Sequence, residues 1–424
     1  MIRPVLGTVA ARITITAMNL LIIVAAGQRL GAEGLGTISL IVLGVTMILL
    51  LNNVVGGGGL IYLVPRYGVT QLLKPSYAWA MITAAVAFLA QLFVPLVPEE
   101  LVLHVVALAL LQSLNSIHLN VLVGRERINL QNTILVSQSA IQLLAFLILL
   151  HVDGSGIADY VLATYFAHGI TVLVSGHYAL YHRHYQGMAK KDVIAGLLRQ
   201  GGLAQGANLL QLLNYRMAYY LIDRFRGLSA LGIFSVTTQL AEGAWLIPKS
   251  IGGVLYSKVS NLEEAERQRD LTILLFKVAV IMGAVCCGLL LLVPEALYTW
   301  IFGPDIVGLR PLIALMVPGL VAMSGSQILS HFLSGTGRIR HNTIGSGLGL
   351  MVTIPVGFWL IPSLGLKGAA ITTSLAYCTS VLYQLIVFLK ETGTRAVELV
   401  PHAGDGARAQ HVWQRIRGRV LGRT

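Results

Sequence analysis

The chain has 424 residues, of which 55% are hydrophobic and only 11% charged, with a mean hydropathy of +0.75 and a formal net charge of +12. That balance excludes an ordinary soluble domain and places the chain among polytopic membrane proteins. Apolar runs of roughly the ~20 residues that a bilayer requires recur from end to end, and they predict an all-α integral membrane protein of about 12 transmembrane helices, because a barrel would show short alternating strands.

In chain order the predicted spans cover 6–30, 35–64, 76–97, 101–123, 129–151, 156–181, 193–224, 228–258, 271–293, 309–334, 342–361 and 366–389. Span 1 is too long for the apolar core of a signal peptide and runs directly into another span, so it reads as a retained helix. Span 2 carries "NNVVGGGG", Asn52 to Gly59, four consecutive glycines in a segment built for lipid. They lie 21 to 24 residues beyond Leu35, close to one end of the span at ~1.5 Å per residue. Two readings stand side by side: a hinge at Gly56, Gly57, Gly58 and Gly59, or small residues that let helices pack closely. Cys286, Cys287 and Cys378 fall inside spans at spacings that suit neither a metal site nor a disulfide framework.

Orientation follows from the basic residues. With a cytoplasmic N-terminus, most Lys and Arg lie inside, including Arg66, Lys74, Arg125, Arg127, Arg183, Lys190, Lys191, Arg338, Arg340 and the tail from Lys390, whereas Arg29, Arg224, Arg226, Arg310 and Lys367 lie outside. The outer loops hold Glu99, Glu100, Asp153, Asp159, Glu295 and Asp305. The positive balance is thus a topology signal, and nucleic acid is not expected as a partner.

A shift of 196 residues lays Gly31, Leu35, Gly36 and Ser39 on Gly227, Leu231, Gly232 and Ser235, and Gly56 and Gly57 on Gly252 and Gly253. "RINLQNTI" from Arg127 is echoed by "RIRHNTI" from Arg338. The repeat predicts two six-helix lobes in the same orientation, 1–182 and 193–390, joined by a basic cytoplasmic linker, 183–192, and followed by a basic cytoplasmic tail, 391–424. Pro248, Gly252 and Gly253 of "PKSIGG" then match the glycines of span 2 as a second hinge. In the tail, Val412, Trp413, Ile416 and Val420 suit an amphipathic contact with membrane lipid.

Polar residues inside spans fall on the first two helices of each lobe. Thr8, Arg12, Thr16 and Asn19 share one face of span 1, and Ser39, Thr46 and Asn53 are spaced by sevens on span 2. Gln205, Asn208, Arg216, Tyr219 and Asp223 form a stripe on span 7, and Ser235, Glu242 and Lys249 repeat the span 2 pattern on span 8. An intramembrane charge costs at least ~2.5 to 3.5 kcal/mol on insertion scales, so these side chains predict a hydrated cleft between the lobes. Arg12, Arg216 and Lys249 against Glu242 give that cleft a positive sign, which favours an anionic cargo, and guanidinium forks suit phosphate oxygens. Arg12, near one end of its span, equally fits a side chain that snorkels to the interface. His104, His118, His168, His177 and His331 are scattered and read as packing or interface residues.

The stretches "RLGAEGLGTISL", "YYLIDRFRGLSALGIFSVTTQLAEGAWLIPKSIGGVLYSKVS" and "FLSGTGRIRHNTIGSGLGLMVTIPVGFWLIPSLGLKGAAITTSLAY" resemble the polysaccharide-transport family, the Wzx-like O-antigen and exopolysaccharide flippases. That family belongs to the multidrug/oligosaccharidyl-lipid/polysaccharide exporter superfamily. The resemblance covers nearly the whole chain. It implies a MATE-like arrangement of two six-helix lobes around a central cavity and alternating access, with a polyprenyl-diphosphate-linked oligosaccharide as cargo, moved from the inner to the outer leaflet. It also implies polysaccharide polymerase and glycosyltransferases as partners. Carried over by position, the family's cavity cations correspond to Arg12 and Arg216, with Lys249 a weaker match; Asn19, Asn53, Asn208, Tyr219 and Glu242 complete the expected diphosphate and sugar cavity.

Two relatives fit less well. A drug extruder would carry an acidic residue in its first helix, where Arg12 stands, and a lipid II flippase has two further helices. A membrane polymerase or ligase would need a large outer loop bearing acid, base and cationic groups, whereas the longest outer loop here is "PEALYTWIFGPDIVGLR". No P-loop is present in the sequence, no cofactor or metal is expected, and the chain does not read as an enzyme.

Overall fold

The computed structural model describes residues 2–152, 154, 156–181, 193–262 and 264–400, and these are helical almost throughout, with no strand among them. The predicted linker 183–192, Asp153 and the part of the tail from residue 401 onward, with its amphipathic positions, lie outside the described residues.

The helices are α1 (Ile2–Gly56), α2 (Gly58–Leu63), α3 (Val69–Phe93), α4 (Val102–Gly124), α5 (Ile128–Val152), α6 (Ile157–Leu180), α7 (Val193–Gly243), α8 (Leu246–Val259), α9 (Ala265–Leu292), α10 (Glu295–Phe302), α11 (Leu309–Gly335), α12 (Arg340–Leu364) and α13 (Leu366–Thr392). Nine helices among the described residues are long and apolar enough to cross a membrane, and α7 with α8 forms a further bent pair. The longest of the nine breaks at Gly31 into two arms, and the bent pair divides at Gly227 in the same way, which brings the crossing segments to twelve. This is a multi-pass membrane protein.

Both breaks have one cause. Gly31 has φ 66° and ψ −166°, and Gly227 has φ 80° and ψ 177°. These are glycine conformations that interrupt a helix without a loop, so each break between consecutive helical arms is a single residue long. The expected loop from 31 to 34 is therefore helix instead.

The chain packs into two compact units, one of residues 1–236 with 295–309, the other of 237–294 with 310–424. In the first unit, buried polar side chains join neighbouring helices. The Tyr77 hydroxyl and the Ser175 hydroxyl lie 2.6 and 3.0 Å from the two His118 ring nitrogens. Asn115 donates to Gln138 (2.8 Å), and Ser116 donates to the Asn53 carbonyl oxygen (3.1 Å). Such bonds replace a hydrophobic driving force that lipid does not supply. The second arms of α1 and α7 cross at two repeat-equivalent glycines. A Cβ placed on Gly36 would collide with the Leu228 carbonyl and stand 3.2 Å from the Gly232 nitrogen; one placed on Gly232 would collide with the Ala32 carbonyl and stand 3.0 Å from the Gly36 nitrogen.

The segment 295–309 closes over the α1 turn in this same unit. Gln28 donates from Nε2 to the Trp300 and Ile301 carbonyls at 2.6 and 2.9 Å, satisfying the free end of α10. Glu295 Oε1 accepts from the Gly308 and Leu309 amides at 2.6 and 2.9 Å, which ties the loop back to its own start.

In the second unit, Trp245 donates from Nε1 to the Leu320 carbonyl (3.2 Å) and meets Tyr377 edge-on. Ser326, Gln384 and Asn342 form a hydrogen-bonded chain through the interior, at 2.6 and 3.2 Å. Arg269 pairs with Glu398 at 2.7 Å and fastens the segment after α13 to the start of α9.

Candidate functional site

The predicted cavity residues divide by unit: Arg12, Asn19, Asn53, Asn208, Arg216 and Tyr219 belong to the first, Glu242 and Lys249 to the second. On the first arm of α1, Arg12, Thr16 and Asn19 are exposed, and Thr16 donates back to the Arg12 carbonyl at 2.9 Å. Thr8, one turn earlier, accepts from Asn132 Nδ2 at 3.0 Å, so this polar face continues onto the start of α5. Asn53 is part-buried against α4 and serves there as an interhelical acceptor.

The first arm of α7 shows the clearest departure from a lipid-facing helix. On α3 from Met81 onward the exposed side chains are Met81, Ile82, Ala85, Val86, Leu89, Ala90, Leu92 and Phe93, as contact with acyl chains demands. Between Gln205 and Ile222 of α7 the exposed positions are Gly206, Asn208 and Gln211, while Leu209, Leu210, Leu212 and Leu213 are only partly exposed. Asn208 and Gln211 thus turn outward on this arm, whereas Asn214 is buried. Arg216 lies 11 residues before the Gly227 break, about 16 Å along the axis, at mid-span. Its guanidinium carbon sits 5.1 Å from the Tyr219 ring centroid, and the buried Tyr219 ring is itself held edge-on against Phe234. This cation–π contact orients the fork.

Glu242 is partly exposed on the last turns of α7, and Lys249 is exposed on α8. Between them the helix breaks at Ala244 and Trp245, whereas Pro248 is buried and Gly252 and Gly253 are helical. In the first unit the break falls at Gly57, inside the glycine run, with Gly56 ending α1 and Gly58 starting α2. The standing breaks are thus offset along the repeat.

The glycines differ in what surrounds them. A Cβ on Gly56 would meet Ile117 at 2.8 Å, one on Gly59 the Leu197 carbonyl at 3.3 Å, and one on Gly252 the Gln327 carbonyl and the His331 ring, each at 2.6 Å. Gly58 and Gly253 face open space. Gly56 and Gly252, partners under the shift of 196, are both close-packing positions.

Sequence periodicity passed over three residues. Gln211 and Tyr215 extend the α7 polar ladder, which the i, i+3, i+4 spacing from Gln205 would have shown. Lys277, buried to 6% exposure within α9, is a further intramembrane cation. Its position 15 residues before the end of α9, ~22 Å by helical rise, was the available signal. Among the described residues no group of three His, Cys, Asp or Glu side chains gathers as a metal site.

Comparison with solved structures gives the class. A multidrug resistance MATE family transporter of the MOP superfamily, in its inward-facing conformation, matches with a TM-score of 0.73 at 14% identity, over 91% of this chain and 98% of that one. The MATE multidrug transporter DinF-BH, solved as a complex, matches at 0.66 and 15%, over 93% and 95%. A MOP superfamily transporter from Pyrococcus furiosus, described as having a binding pocket of reverse polarity that suggests a different function, matches at 0.64 and 14%, over 92% and 95%. No family model matches the sequence, and no curated protein sequence does. The chain has the fold of the MATE transporters.

Proposed function

We propose that the protein is a flippase that carries a polyprenyl-diphosphate-linked oligosaccharide, the repeat unit of an O-antigen, exopolysaccharide or capsule, from the inner to the outer leaflet of the cytoplasmic membrane by alternating access. The observation that carries this reading is Arg216, a mid-span guanidinium oriented by Tyr219 on a helix whose exposed face is polar. Arg12 stands on the exposed face of the equivalent arm of α1. A pyrophosphate takes a guanidinium fork through charge-assisted bonds, and the polyprenyl tail stays in lipid. The repeat lobes 1–182 and 193–390 are the two bodies that alternate, with Gly56 to Gly59 and Pro248 to Gly253 as bending segments. Both termini are cytoplasmic in this reading, and a dianionic headgroup leaving a negative interior runs downhill by ~2.3 kcal/mol per charge per 100 mV.

Multidrug extrusion is the second reading, favoured by the solved structures of this fold that carry that description. An organic cation would meet Arg12 and Arg216 as like charges. The deciding experiment uses the purified chain in liposomes holding a fluorescent polyprenyl-diphosphate oligosaccharide in one leaflet. Wild type should transfer it, and Arg216→Ala should slow transfer at least tenfold. Efflux of a cationic dye with no lipid transfer would overturn the proposal.

A further inference from the structure

We infer that Gln205, Asn208, Gln211 and Tyr215 form the strip that reads the carbohydrate of the cargo, next to Arg216; this rests on the flippase reading above. Asn208 Nδ2 donates to Gln205 Oε1 (3.1 Å), and Gln211 Nε2 donates to the Tyr215 hydroxyl (3.1 Å), so two preformed pairs stand one above the other on one face of α7. Asn208 and Gln211 are among the most exposed residues of this arm.

Position makes the strip informative. Gln211 lies 16 residues before Gly227, ~24 Å along the helix and still within a hydrocarbon thickness of about 30 Å. Amides facing acyl chains at that depth would lose their hydrogen bonds to water at a cost of several kcal/mol. Amides facing a polar cargo regain them.

The chemistry selects a polyol over a simple anion or an apolar drug. A carboxamide donates and accepts through adjacent atoms, which suits neighbouring sugar hydroxyls, since each hydroxyl also does both. A tyrosine ring beside such amides offers its face to the C–H side of a pyranose. Gln205 to Tyr215 spans about 15 Å of helix, longer than one sugar ring, and Arg216 follows directly. The diphosphate and the sugars nearest it are therefore held by consecutive turns of one helix. A site built to bond hydroxyls also rejects cargo lacking them, because its amides are then left unpaired.

The test measures binding to the full chain in nanodiscs, with geranylgeranyl diphosphate and the same lipid carrying glucose, rhamnose or N-acetylglucosamine as probes. Wild type should bind at least one glycosylated probe more tightly than the bare one. Gln211→Leu should weaken that probe about tenfold and leave the bare lipid unchanged, which also shows that the variant is folded. Asn208→Leu gives the same reading should Gln211→Leu not fold. No preference for any glycosylated probe in wild type, or equal weakening of both lipid types by the two variants, or no weakening by either, overturns the strip. Arg216→Ala separates the two ideas: it should weaken bare and glycosylated lipids alike. If it changes neither while Gln211→Leu removes the sugar preference, the diphosphate reading falls and the strip stands.

Discussion

Gly36 and Gly232, which occupy the same place in the two sequence repeats, pack backbone against backbone in reciprocal fashion: each points its missing Cβ at the carbonyl four residues before the other. Points related by a twofold axis are separated by twice their distance from it, so a self-contact of this kind marks the local axis between residues 31–39 and 227–235. Only glycine lets two helices approach so closely. Replacing Gly36 or Gly232 by alanine should each cost on the order of 1–3 kcal/mol through overpacking. Gly58→Ala and Gly253→Ala, which face open space, should be near neutral. Thermal unfolding of the four variants in one detergent checks the contrast; equal melting temperatures would contradict it.

Gly56 and Gly252 predict a second pair. Each presses on a neighbouring helix, through Ile117 in one case and His331 in the other. Alanine at either should lower stability, and Gly252→Ala more, because its obstacles include a backbone carbonyl that cannot rotate away. If bending here also serves transport, Gly253→Pro, in the interior of α8, should disturb transport out of proportion to any loss of stability.

The loop 295–309 depends on two side chains. Glu295→Ala frees the Gly308 and Leu309 amides, and Gln28→Leu frees the Trp300 and Ile301 carbonyls. Hydrogen exchange at Gly308 and Leu309 should accelerate about tenfold or more in Glu295→Ala, and Gln28→Leu should loosen α10 instead. Unchanged exchange would mean that the loop is held elsewhere.

Arg216→Lys keeps the positive charge but loses the planar fork and its contact with Tyr219. Lipid transfer should be intermediate, several-fold below wild type and above the alanine variant. A lysine variant equal to wild type would show that charge alone suffices.

A pH effect is expected at the Arg269–Glu398 contact. The Arg395 backbone amide and then the Arg269 guanidinium hold the Glu398 carboxyl below the usual carboxylate range. A lowered folded-state value stabilises the fold above the unfolded carboxylate pKa of about 4.3, and that contribution disappears as pH falls through the folded-state value. Glu398→Gln should therefore melt below wild type at neutral pH, with the two curves converging in acid. A constant gap across that range would refute the assignment.

The crossing segments were legible in the sequence because a bilayer imposes length and hydropathy on every helix that spans it. The two Gly breaks were legible as a repeat, since Gly31 and Gly227 recur at a fixed shift in matching surroundings. Hydropathy stops at the edge of lipid, so it missed the charged first turns of α9 from Ala265 and the start of α3 at Val69, before Pro75. Periodicity places residues on faces of their own helix, and it put Asn53 and Asn208 together on equal terms. Only packing separated them: Asn53 is bonded to Ser116 on α4, while Asn208 is exposed. The same limit hid the burial of Lys277, whereas the break at Ala244 and Trp245 falls between Gly243, which ends α7, and Pro248, whose ring nitrogen cannot bond the carbonyl of Ala244 four residues before it. A helix sequence determines its own faces; the neighbour each face meets is set by the other helices, and only the tertiary structure contains them.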